Sequence, residues 1–372
     1  MKQGRTLAEL GAELERQRNA RKDYLVSTSA LSMKTQDGKS IVQFENGHEM
    51  ETYRVGDIAH QQLATRLGIP FRYYLKMQKD YPALLDENVN GWFHKEPERR
   101  MLRTLDGRMR AFLSARYRRL DNLELCAAVL PIIHEMKGAD IESCEVTESH
   151  MYIKVVNKKL KAEVAVGDVV QAGFVVSNSE VGLGSLKVEP LIFRLVCKNG
   201  LICKDYSQKK YHVGKQVDMD ADEAYELYSD ETLRADDKAF FMKVQDIVRC
   251  AVDESRFLMT VDKMKEAMHI PLTHDPVQEV ELLADTYQLN QSERGNVLRS
   301  LFMGRDLSRY GMMNAITDAS KLAASYERAT DMERIGGEFL MAPVDNKALK
   351  AKNMRPMKNV TPDIPALALA EK

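Results

Sequence analysis

Near residue 220 the hydrophobic period of this chain changes from two to about 3.6. Before that point the segments 144–147, 150–157, 160–166, 171–177, 185–197 and 201–206 read as strands, broken by Gly167-Asp168, Gly182, Gly184 and Asn199-Gly200. After it, 221–228, 235–259, 261–268, 276–289, 292–302 and 306–330 carry helical periodicity, with a break from Pro271 to Pro276. Strands gathered in one stretch and helices in another predict an α+β fold: a central, mostly antiparallel sheet with a packed helix and a largely helical C-terminal half.

The N-terminal part adds to this frame. Leu7, Leu10 and Leu14 form one stripe of a helix over 7–21, a docking or oligomerising arm. A β-like block follows around the Asp37-Gly38 turn, then helical periodicity over 57–79 and a second β block at 101–113. Asp121-Asn122 opens a helix that passes Leu125, Val129 and Ile133 and stops at Gly138. The expected organisation is an N-terminal helix (1–23), a sheet domain (24–210) with a helical hairpin near 57–79, a helical region (219–340) and, after Gly336-Gly337, a disordered tail (341–372). Apolar stripes at Val244, Ile247, Val248, Ala251 and at Leu298, Leu301, Phe302 exceed what a small sheet covers, which predicts a homo-oligomer.

Charge is placed rather than abundant. The 372 residues carry 54 Lys and Arg against 55 Asp and Glu, yet residues 99–119 concentrate arginine on a strand hairpin, turned at Asp106-Gly107, that feeds a helix. Arginine offers a planar, permanently charged fork that suits phosphate oxygens. Arg99, Arg100, Arg103, Arg108, Arg110, Arg116, Arg118 and Arg119 are the candidate phosphate ligands, with Tyr117 as a stacking partner and Lys154, Lys158 and Lys159 as a second basic strip. The bland reading is a solvated sheet face whose arginines pair with Glu96, Glu98 and Asp106.

Other motifs weigh less. The polar loop 177–184 lacks the Lys-Ser/Thr ending and the following helix of a phosphate loop, and reads as a turn whose Asn178 and Ser179 could present donors to a ligand. Residues 58–77 have helix-turn-helix spacing, with Arg72, Lys76 and Lys79 as a thin basic set for reading bases. Cys197 and Cys203, with His212 downstream, lack the tight knuckle of a zinc site, and the eight histidines show no catalytic pairing. No catalytic residue, cofactor or metal is expected. Five scattered cysteines, the absence of a secretory segment and the absence of a bilayer-length apolar run lead to the expectation of a cytoplasmic protein of a bacterial host, with no membrane contact.

The segments Gly173-Phe-Val-Val-Ser-Asn-Ser-Glu-Val-Gly182 and Leu191-Ile-Phe-Arg-Leu-Val-Cys-Lys-Asn-Gly200, with 115–122 and 314–318, resemble the phage/plasmid-like family (domain of unknown function 932) over residues 67–336. That resemblance implies the setting of a phage or plasmid-type mobile element. The order of hairpin, helix, further strands and helical half is also similar to phage single-strand annealing proteins of the Redβ, RecT and Erf types, a likeness of architecture only. The expected function is non-enzymatic binding and annealing of single-stranded DNA in recombination, alongside a recombination nuclease or host protein. The alternative is a regulatory or counter-defence protein that binds another protein, or duplex DNA through the helix-turn-helix.

Overall fold

In the computed structural model, which describes residues 1–115, 117, 119–203 and 230–343, both Asp-Gly pairs take left-handed backbone. Their φ values are 50° and 71° at Asp37-Gly38 and 51° and 71° at Asp106-Gly107. Each closes a two-residue type I′ hairpin, the turn whose twist matches the flanking strands. The first joins β2 (Ser32–Gln36) to β3 (Lys39–Asn46); the second joins β5 (Arg99–Leu105) to β6 (Arg108–Ser114). With β1 (Lys22–Ser27) and β4 (Glu49–Val55) they form a six-stranded sheet of order β1-β5-β6-β4-β3-β2, antiparallel except where β4 meets β6. One face buries Met33, Val42, Phe44, Tyr53 and Val55 under α2 (Asp57–Arg66), α3 (Phe71–Asp80) and α4 (Pro82–Lys95). Alternation along β2, β3 and β4 sends their other side chains outward.

A second sheet is a five-stranded antiparallel meander of order β11-β10-β9-β8-β7. It comprises β7 (Ala139–Val146), β8 (Met151–Ala165), β9 (Asp168–Asn178), β10 (Lys187–Arg194) and β11 (Asn199–Ile202). On one face Ile153, Val155, Phe174 and Val176 pack under α5 (Asn122–Glu135), Leu10 and Leu14 of α1 (Leu7–Ala20), and Val244 and Val248 of α6 (Asp230–Arg249). On the other, Tyr152, Val156, Val175 and Leu191 meet Tyr326. With both faces covered, the first half of β8 is buried residue after residue.

The helical half continues through α7 (Glu254–Met268), α8 (Pro276–Tyr287), α9 (Gln291–Gly304), α10 (Arg309–Ala319) and α11 (Tyr326–Met341). Val280, Leu283, Val297, Leu301, Met312, Ile316 and Met332 form its core. Gly336 and Gly337, expected to mark where order ends, lie inside α11. A Cβ on Gly337 would sit 2.0 Å from the carbonyl oxygen of Ile202, so the glycine lets α11 approach β11. No helix among the described residues is long and apolar enough to cross a membrane.

The α+β class with a helical C-terminal half is as expected, but there are two sheets where one was expected, because the basic hairpin joins the N-terminal strands and not the meander. The segments 150–157 and 160–166 are one strand, 235–259 breaks after Arg249, and 306–330 divides after Ala319. Helix α4 carried no expectation of its own. The expected helix at 221–228, and the expected tail from residue 344 onward, lie outside the described residues.

Candidate nucleic-acid interface

The hairpin arginines divide between interior and surface. Arg103 has no exposure at all. Its Nε and Nη2 donate to the two oxygens of Asp23 at 3.0 and 3.1 Å, Nη2 also to Asp121 at 2.7 Å, and Nη1 to the backbone oxygen of Glu180 at 2.9 Å. Burial alone would lower its pKa, but Asp23 and Asp121 outweigh it and hold the guanidinium charged. Burial likewise opposes ionisation of Asp121, and Arg103 together with Arg21, 2.5 Å away, still keeps this carboxyl below its usual range. Arg103 is therefore a structural centre, and its reading as a phosphate ligand is corrected.

Glu180 links the loop 177–184 to both neighbours. Its Oε2 accepts from Arg110 at 2.6 Å, and its Oε1 accepts from the Asn122 N–H at 2.6 Å. Helix α5 thus starts where its Asp-Asn signal predicts, but the capping carboxylate comes from the loop after β9. Asp121 makes no cap bond because the arginines hold it. Asn178 donates to Leu120 O and Asn122 Oδ1, and Ser179 Oγ accepts from the Leu183 N–H. Gln62 of α2 donates to Val181 O at 2.7 Å and accepts from the Phe112 N–H at 2.7 Å. The loop is a joint between the two sheets, and its donors are spent inside the protein.

Tyr117 is part of the same joint. Its ring packs against the cluster of Met101, Ala111, Leu113 and Val181, and its hydroxyl donates to Ser179 O at 2.9 Å. That placement corrects its reading as a stacking partner. Arg100 is largely buried, donating to Glu98 at 2.6 Å and lying over the Phe112 ring. The expected lysine strip does not exist as a face. Lys154 is fully buried at 2.6 Å from Glu333, with burial pulling its pKa down and Glu333 opposing, whereas Lys158 is exposed and pairs with Asp140 at 2.5 Å. Arg99, Arg108, Arg119 and Lys159 are exposed, Arg119 reaching Asp23 at 3.7 Å. Arg116 and Arg118 lie outside the described residues.

Arg108 leads to a surface that the hairpin alone does not reveal. The ladder places Lys34, Ile41, Arg54 and Arg108 in register across β2, β3, β4 and β6. Their neighbours Met33, Val42, Tyr53, Val55 and Met109 face the helices, so these four face away from them. Lys34, Arg54 and Arg108 are exposed, and among the described residues none of the three has an ion-pair partner. Arg54 and Arg108 are direct neighbours of like charge, an arrangement that costs energy until an anion sits on it. Lys34 and Arg54 lack any cluster signal in the sequence. Each is one polar residue in an alternating strand, and only the parallel β4–β6 pairing brings them to the hairpin.

On the opposite side of this sheet the two helices expected at 58–77 form as α2 and α3. Tyr74 is buried, its hydroxyl 2.8 Å from His60 Nδ1, while Arg72, Tyr73, Lys76 and Lys79 are exposed. Among the described residues no group of His, Cys, Asp and Glu could hold a metal ion; Cys203 is buried, and His212 lies outside the described residues. The expected intersubunit stripes pack largely inside the protein, with Val244, Val248 and Leu301 buried and Phe302 exposed.

A family model described as domain of unknown function (DUF932) matches residues 111–337, from the middle of β6 to α11. No curated protein and no solved structure matches the chain. The match starts later than the resemblance over 67–336 implies, and it leaves Lys34, Arg54 and Arg108 on its N-terminal side.

Proposed function

Since the chain belongs to the DUF932 family, and the matched region comprises the meander and most of the helical half, we propose that the added N-terminal sheet is a non-covalent nucleic-acid grip. The observation that carries this reading is the in-register row of Lys34, Arg54 and Arg108, exposed and without acidic partners among the described residues. Phosphates would neutralise the row and release their counterions, which is where such binding gets its strength. The outward residues beside the row, Ser32, Gln43 and Thr52, include no aromatic ring. Bases held there are not stacked away and stay free to pair, as strand annealing requires. The chemistry is charge neutralisation and alignment. In the setting that the phage/plasmid-like resemblance implies, the protein would act on single strands during recombination in the cytoplasm of a bacterial host.

A second reading has an observation of its own. The exposed Arg72, Tyr73, Lys76 and Lys79 on α3 form a basic, partly aromatic helix face after a tight turn, which suits the groove of a duplex. One assay separates the two: the annealing rate of complementary oligonucleotides, with binding of the matching duplex measured in parallel. The first reading expects acceleration that the Lys34→Ala/Arg54→Ala/Arg108→Ala variant loses and the Arg72→Ala/Lys76→Ala/Lys79→Ala variant keeps. No acceleration at concentrations that saturate the oligonucleotide would reject it, and preferential duplex binding lost only in the second variant would replace it with the helix-turn-helix reading.

A further inference from the structure

A sheet edge left open invites another strand, and proteins cover such edges. Three of the four edges here are covered. Along β2, Asn90 of α4 accepts from the Met33 N–H at 2.7 Å and donates to its carbonyl at 2.8 Å, while Asp86 accepts from the Thr35 N–H at 2.8 Å. Along β7, the Arg5 N–H donates to Cys144 O at 2.7 Å. Beside β11, α11 approaches the Ile202 carbonyl through Gly337. The outer edge of β1 is different: among the described residues β1 pairs with β5 alone.

The ladder fixes which groups point outward. The Thr28 N–H donates to Glu98 O at 2.9 Å, and Thr104 Oγ1 donates to Lys22 O at 2.9 Å, so even-numbered residues bond towards β5. In an antiparallel ladder the alternate residues, Asp23, Leu25 and Ser27, then present N–H and C=O to the other side. Leu25, the middle one, is also 47 % exposed.

We propose that two copies of this chain join edge to edge through β1 as a two-fold dimer centred on Leu25. A two-fold at that residue uses all three outward-pointing positions, setting Asp23 of one copy opposite Ser27 of the other and Leu25 opposite Leu25. It also sets Tyr24 opposite Val26 twice, pairs of an aromatic and a β-branched side chain that favour each other across strands, and puts no like charges opposite. The two six-stranded sheets become continuous, and because the axis is perpendicular to the sheet, the rows of Lys34, Arg54 and Arg108 face the same side. The dimer itself needs no nucleic acid, so it stands or falls separately from the binding function.

The test is sedimentation of the nuclease-treated full-length protein. The wild type is expected to dimerise as concentration rises. The Leu25→Pro variant is expected to stay monomeric with an unchanged circular-dichroism spectrum, since the lost N–H faces outward and an edge strand tolerates proline there. A monomeric wild type at every concentration, or a folded Leu25→Pro dimer, overturns the proposal. If Leu25→Pro fails to fold, Leu25→Cys in a Cys250→Ser background decides. Directly opposed residues of this kind sit about 5.5 Å apart, within disulfide range. Mild oxidation should link the two chains through position 25, and absence of that link overturns the dimer.

Discussion

Arg103 and Arg108 stand five positions apart in one hairpin and have opposite surroundings. Arg103 is enclosed by Asp23, Asp121 and the Glu180 carbonyl, whereas Arg108 projects from the outward face beside Arg54. Arg103→Ala would remove the buried cation that Asp23 and Asp121 share, leaving them only Arg119 and Arg21 nearer the surface, a loss of up to about 3–5 kcal/mol, while Arg108→Ala should change stability by less than about 0.5 kcal/mol. Chemical denaturation of the two variants checks the contrast; equal losses would contradict the division. The sequence carries the density of arginine but not this division. A buried arginine and an exposed one look alike until the acceptors that enclose the first, the Asp23 carboxylate and the Glu180 carbonyl, arrive from 80 residues upstream and 77 downstream.

Among the elements, the paired helices α2 and α3 depend on a buried histidine. His60 on α2 lies 2.8 Å from the Tyr74 hydroxyl and 3.1 Å from Gln78, both on α3. Burial pulls its pKa down from 6.5 to about 4. Between those values the unfolded chain takes up a proton that the folded protein refuses, so stability falls as pH drops from 6.5 to about 4, and His60 causes no further loss below that. The loss attributable to His60 is on the order of 3 kcal/mol. The melting temperature should therefore descend across this window and flatten in His60→Gln; an unchanged descent in the variant would contradict the assignment. Both type I′ hairpins, α2, α3 and the start of α5 were legible because their signals are local. Helix ends near 249 and 319, the glycines inside α11 and the cap donated by Glu180 were not, because packing partners decide them.

At the scale of the whole molecule, the fold class could be read from segregated periodicity, but the assignment of the hairpin to a separate sheet could not. That assignment rests on β1 and β4 flanking β5 and β6, pairings made across tens of residues that no local pattern encodes. It also turns the basic hairpin from a self-contained site into one end of a row, with Arg103 and Arg110 spent in joining the sheets. On the proposed reading, this row and not the hairpin as a whole contacts phosphate. The measurement is oligonucleotide affinity as a function of salt for the wild type and for Lys34→Ala/Arg54→Ala/Arg108→Ala. Each lost contact on a single strand should lower the logarithmic salt slope by about 0.7, so the variant should bind more weakly with a slope shallower by about 2, at an unchanged melting temperature. Affinity and slope equal to the wild type at every salt concentration would contradict it.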